Sequence, residues 1–307
     1  MKGRTSFQIH HSIIILLITA CCFSQFSYGQ DDLLRDTLDV NKTVAVILFS
    51  SSSEYDGKEV EYSRMLTERV QTAIEQTKRF TMVERLDLEK VIAIRRDQDN
   101  NEQEYAYWKK LPESHLIEAG RQLGVEYIFT GNISNVAADP SVSGGYVGEF
   151  GFTIKAISVE TGKLYVSESF RAASEKLIGT NSKQEALEKA LEKVSDPVKE
   201  FVDRYFPIEV PLFKVKEVSK KGIPEIIIFR GGLSNGLRKD QQLDVVITVP
   251  GDKDYRDKIG EVKIVEIASK FCTCKVVDGG EAILKAIEAM EQILGRSVAH
   301  TKKGPFK

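Results

Sequence analysis

The sequence predicts an α/β domain over residues 43–206 followed by a small β-barrel domain over residues 207–295, on three observations. Between Thr43 and Tyr205, apolar runs of strand length alternate with segments of helical period, the order that builds a layered α/β domain. Beyond Pro207 and Pro211 the helical period disappears and five short β-rich runs follow in close succession. Both parts stand behind an N-terminal export leader.

The leader comes first. MKGRTSFQIHHS carries Lys2 and Arg4 and leads into IIILLITACCF, the charged-then-apolar order of a secretory signal over residues 1–29. That run falls short of the ~20 residues a membrane-spanning helix needs, and no later segment reaches that length. Two processing positions compete. Ser27 and Gly29 place small residues before Gln30, which suits conventional cleavage; ITAC at 18–21 resembles a lipobox and makes Cys21 a candidate lipidation position. Release at Gln30 is preferred, because Phe23, Phe26 and Tyr28 keep the segment after Cys21 apolar where a lipid-borne tether is ordinarily polar. Residues 30–42 read as a linker.

Bulk chemistry narrows the function classes. The 307 residues are 29% charged and 42% hydrophobic, an ordinary globular composition, with a formal charge of −2. Cleavage after Gly29 removes Lys2 and Arg4 and no acidic residue, which takes the charge to −4 and leaves no electrostatic footprint for nucleic acid. Cys272 and Cys274, two apart in FCTCKVV, point to one face of a strand about 6.6–6.8 Å apart at Cα, too far for a relaxed disulfide, and read as small buried hydrophobes. No metal or cofactor site is expected.

In chain order, TVAVILF (43–49) is a fully buried strand followed by a serine-rich loop. Tyr62, Leu66, Val70, Ala73 and Ile74 recur at helical spacing, RFTMVER turns β-like, and Leu88, Val91 and Ile92 mark a short helix. Residues 96–112 lose their period and read as a polar loop. Its Tyr105, Tyr107 and Trp108, flanked by Lys109 and Lys110, have the composition of a partner-contact anchor; the competing reading folds the rings back over the α/β core. Leu116 to Leu123 resume a helix that stops at Gly124 in the left-handed cap position. VEYIFTGNISNV, the alternating strand from Tyr146, and KLYVSESFRA complete the sheet as strands, the last two a hairpin turned at VETGK. A long helix then carries Leu187 to Tyr205, with a kink expected at Pro197. In the second part, Asp278 is placed to cap a C-terminal helix whose stripe, Ile283 to Leu294, ends at Gly295. Residues 296–307 form a basic tail.

GLSNG at 232–236 spells G-x-S-x-G, the signature of a hydrolase nucleophile elbow at Ser234. An elbow needs a strand, a sharp turn and then a helix. Here GLRKDQQ runs directly into the next strand, and the downstream histidine, His300, lies in the tail. The stretch therefore reads as a glycine-rich turn, and no catalytic residue is expected.

Several of these stretches in order resemble one family. AVILF with its serine loop, SRMLTERV, RFTMVER, AGRQLGVEYIFTGNI and IKAISVETGKLY are similar to the CsgG family, which includes the curli secretion channel and a lipoprotein activator of penicillin-binding proteins. The resemblance spans about residues 43–206. It implies an α/β domain like the N-terminal domain of TolB, in the periplasm or at the outer membrane, with no catalytic residue. GGLSNGLRKDQQLDVVI, IGEVKIVEI and CKVVDGG resemble the SH3-like C-terminal domain of flagellar assembly protein T, with Asp240-Gln241 where that pattern has Gly-Asp. The expectation is an accessory protein of the cell envelope whose partners are envelope proteins, with peripheral outer-membrane association and homo-oligomerisation left open. The alternative is an oligomeric secretion channel of the curli type. Against it, AADPSVSGG and SESFRAASEKLIGTNSKQ, where channel hairpins would arise, are too short and too polar to cross a bilayer.

Overall fold

A computed structural model describes residues 41–51, 57–92, 101–142, 144–175, 179–248 and 255–298. The candidate lipidation position Cys21, the cleavage site at Gln30, His300 and the end of the basic tail lie outside them. From Asn41 onward the chain clusters as one unit. It holds a mixed α/β layer and a closed six-stranded barrel.

The α/β layer is built on a six-stranded sheet. It comprises β1 (Lys42–Val46), β2 (Ser50–Ser51), β3 (Phe80–Met82), β4 (Tyr127–Pro140), β5 (Tyr146–Ser158) and β6 (Lys163–Ala173). The order is β3-β1-β4-β5-β6 with β2 beside β4; β1 runs parallel to β3 and β4, and β4, β5 and β6 are antiparallel. Strand pleating explains why TVAVILF is apolar throughout. Val44 and Val46 enter one core while Ala45 and Ile47 enter another on the opposite face. The first core is closed by α1 (Glu59–Gln76), α5 (Lys183–Glu192) and α6 (Ser195–Tyr205). The second is closed by α2 (Arg85–Val91), α3 (Asn101–Lys110) and α4 (Glu113–Gln122). Gly124, at φ +68, ends α4 as its position predicted.

Two local expectations are corrected by the structure. The segment read as a loop around residues 101–110 is the helix α3, because one side of it finds the second core: Trp108 is buried there beside Leu88 and Leu116. The single kinked helix is two helices. Alpha5 ends at Lys193, and Pro197 is the third residue of α6, where a missing N–H costs nothing because first-turn N–H groups have no helical acceptor. The places examined for channel hairpins are also accounted for. A turn in which Ser141 N–H donates to Gly145 O (2.9 Å) joins β4 to β5, and Ser167 to Ala172 lie within β6 of the sheet.

The barrel contains β7 (Glu209–Val218), β8 (Pro224–Phe229), β9 (Gln242–Thr248), β10 (Arg256–Ile267), β11 (Cys272–Asp278) and β12 (Ile293–Ser297), with α7 (Gly280–Glu288) before the last strand. It closes in the order β10-β11-β8-β7-β12-β9. Five strands match the β-rich runs of the sequence, and the sixth corrects the expectation of a C-terminal helix ending at Gly295. The helix stops at Glu288, Met290 takes a left-handed φ of +57, and Ile293 to Ser297 bridge β7 and β9. Without that strand both neighbours would present unpaired edges, so ladder hydrogen bonding outweighs the helical stripe. Arg296 and Ser297 accordingly belong to the barrel and not to a tail. The cap of α7 is Gly279, and Asp278 ends β11.

Asp240 stands where the resembled pattern has glycine, and it adopts a left-handed conformation, φ +65. Aspartate tolerates this region better than most residues. Lys263 Nζ lies 2.9 Å from its Oδ1, and that hydrogen bond and charge hold the carboxyl below its ordinary pKa.

Cys272 and Cys274 are both buried in the barrel, with sulfurs 3.8 Å apart and no disulfide. The hydrogen bond from Cys274 to Cys272 and burial push the Cys274 thiol up, so it stays protonated and unreactive. The native protein is therefore expected to leave both thiols unlabelled by iodoacetamide, with both alkylated in denaturant; rapid labelling of folded protein, read by mass, would contradict this packing.

Candidate functional site

The G-x-S-x-G stretch forms a single 3₁₀ turn, Leu233–Asn235, between β8 and β9. Ser234 is exposed, but its hydroxyl donates to the Ser269 carbonyl (2.7 Å), and its N–H donates to the same carbonyl (3.0 Å). Leu233 N–H donates to Ala268 O (3.0 Å). The turn thus braces the β10–β11 connection, residues 268–271, through three hydrogen bonds. The hydroxyl is thus engaged by a main-chain carbonyl, and β9 rather than a helix follows the turn, unlike the strand–turn–helix of a nucleophile elbow.

Glycine is required in this stretch for close approach. At Gly232 a Cβ would lie 2.1 Å from Ala268 O, and at Gly236, φ +84, it would lie 2.2 Å from Thr77 O at the end of α1. Asn235 completes the knot: its Oδ1 accepts from Gly232 N–H (3.0 Å) and its Nδ2 donates to Asn41 Oδ1 (3.1 Å). One turn therefore locks the barrel to the start and the α1 end of the α/β layer.

The braced connection presents Phe271. Its ring meets Phe213 of β7 with centroids 5.1 Å apart, and both rings are 38% exposed. Phe213 follows inward-facing Leu212 and so points outward by strand alternation; the β7–β8 register slips between Leu212 and Lys214, which leaves Phe213 as the extra residue of a bulge and brings Lys214 to the outer face as well. Leu212 pairs with Phe229 toward the barrel interior; Lys214 pairs with Ile228 on the outer face. The outer row continues from Ile228 to Thr273 and Glu266. Phe213, Phe271, Ile228, Thr273, Glu266 and Lys214 line an open groove of about 440 Å³. Two cations flank it, Arg230 with its Cζ 5.5 Å from the Phe213 centroid and Lys214 with its Nζ 5.8 Å away. Arg230 is placed there by its N–H, which donates to Pro211 O (2.9 Å).

The residues singled out from sequence for partner contact are not part of this groove's lining. Trp108 is 7% exposed inside the second core, which removes it from any surface anchor and follows the reading in which its ring covers the α/β core. Tyr107, 37% exposed, leans edge-on against Trp108 at 6.2 Å, and Tyr105 has a side chain outside the described set. His115 is exposed on the first turn of α4. Sequence reading missed Phe213 and Phe271. The available signal was phase: Phe213 follows Leu212 directly, so strict alternation cannot bury both.

Among the described residues, no group of three or more His, Cys, Asp or Glu converges as metal ligands, and no helix is long and apolar enough to cross a membrane. No protein-family model matches the chain, and no curated protein matches it. Among solved structures it is similar to the LpoB C-terminal domain from Salmonella enterica, at 16% identity over 44% of this chain and 85% of that one, TM-score 0.29. It is also similar to the PelC dodecamer from Paraburkholderia phytofirmans, at 12% over 53% and 89%, TM-score 0.31. A third is lipoprotein GNA1162 from Neisseria meningitidis, at 10% over 50% and 99%, TM-score 0.33.

Proposed function

We propose that this is a non-enzymatic accessory protein of the cell envelope, exported and facing the periplasm or the outer membrane, that docks on a larger protein assembly serving secretion, a surface appendage or wall synthesis. The observation that carries the docking is the half-exposed Phe213–Phe271 pair on the barrel's outer face. Two phenyl rings left partly in water on the outer face are the composition of a partner contact rather than of a core. The export leader and the CsgG-like stretches of the sequence support the compartment. Ser234, committed to Ser269, supports a role without catalysis.

Three measurements test this reading. Cross-linking in intact cells followed by pull-down is expected to recover the protein with envelope partners; recovery only as an unattached monomer would contradict it. Ser234→Ala is expected to cost about 1 kcal/mol through loss of one hydrogen bond. Neither it nor the parent should react with a fluorophosphonate probe. Labelling of the parent that vanishes in the variant would restore the hydrolase. Mass spectrometry of the mature N-terminus separates a lipid-bearing Cys21 from release at Gln30.

A further inference from the structure

The geometry points to an extended acidic polypeptide segment, with one apolar side chain at its centre, as the occupant of the Phe213–Phe271 groove. The inference rests on the docking reading above and names the class of partner. The apolar part follows from the rings and from Ile228 in the lining, an apolar surface that one aromatic or branched side chain can cover. The acidic part follows from charge. Exposed Lys214 stands against the Phe213 ring, and exposed Lys270 lies in the connection next to Phe271, so carboxylates beside the anchoring residue meet a cation next to each ring.

Glu266 decides between classes of anion. Its carboxylate lines the same groove, where it repels a polyphosphate or an anionic bilayer but can accept a main-chain N–H. A polypeptide supplies all three features at once: amide donors, carboxylates and one apolar side chain. In an extended chain alternate side chains recur every ~6.6–6.8 Å, so a central residue can face the rings while acidic neighbours spread to either flank.

The test uses the full mature chain and the fluorescein-labelled peptide Gly-Asp-Glu-Asp-Phe-Asp-Glu-Asp-Gly, read by fluorescence anisotropy. Saturable binding that weakens with added salt is expected, with a loss of about tenfold or more in Phe271→Ala and several-fold in Lys214→Glu. Both positions are exposed, so folding should survive, and circular dichroism checks that it does. The proposal is overturned if the parent does not bind, if a peptide with alanine at its centre binds equally, or if phosphatidylglycerol vesicles bind through Phe271 in place of the peptide. The two readings fail separately. Phe271→Ala that keeps its cross-linked envelope partners sinks the groove and leaves docking standing; peptide binding without any envelope partner does the reverse.

Discussion

Arg79→Met is expected to lower the unfolding free energy by about 3 kcal/mol, read as a reduced urea midpoint at constant m-value. Arg79 sits between α1 and β3, where its side chain is 11% exposed. Its Nη1 donates to Phe206 O (2.8 Å) and to Val202 O (3.2 Å), and its Nη2 pairs with Asp203. Val202 O already accepts the Phe206 N–H (3.0 Å), whereas Phe206 O stands at the cap, beyond the last helical residue. Burial pulls the guanidinium pKa down and Asp203 opposes it, yet an arginine remains charged in either case. Methionine would fill the volume but take the guanidinium donor from the Phe206 carbonyl and the Asp203 carboxylate, leaving Val202 O with its helical N–H alone. Arg79→Lys should recover at most about half of the loss, because an ammonium cannot reach all three acceptors in a fixed plane. A midpoint unchanged in Arg79→Met would show that the network adds no net stability.

Gly236→Val is expected to cost about 3 kcal/mol and to loosen the barrel from the α/β layer. A branched residue at φ +84 is strained on its own, and here its Cβ would also meet Thr77 O at 2.2 Å. Relief requires the turn to back away from α1, which breaks the Asn235–Asn41 contact with it. Limited proteolysis should therefore cut between the two parts faster in the variant. Equal thermal midpoints and equal proteolysis would mean that the turn yields without cost. Gly236→Ala, with the same close contact but no branching, should fall between variant and parent.

Much of the fold was legible because each signal was local. The continuous apolar run TVAVILF, alternation in the Tyr146 strand, helical spacing from Tyr62 to Ile74, and a glycine at 124 each report a backbone preference that neighbours in sequence suffice to express. The failures share a cause. Residues 101–110 and 293–297 took their state from what they pack or pair with: Trp108 finds a core made by α2 and α4, and Ile293 to Ser297 find two open strand edges far away in sequence. Likewise, the missing helix argued from sequence against an elbow at Ser234, but the partner of its hydroxyl, Ser269, is 35 residues away and invisible to any motif.

By itself the amino-acid order determined the layered α/β part, the β-rich second part and the burial of Cys272 and Cys274, since all of these follow from periodicity and hydropathy along the chain. Only the tertiary structure decided that a sixth strand closes the barrel, that a glycine turn locks the two parts together and that a bulge sets Lys214 on the outer face beside Phe213 and Phe271. Strand closure, close backbone approach and a register slip are relations between distant segments, and the hydrogen bonds and contacts that reward them exist only once the chain has folded.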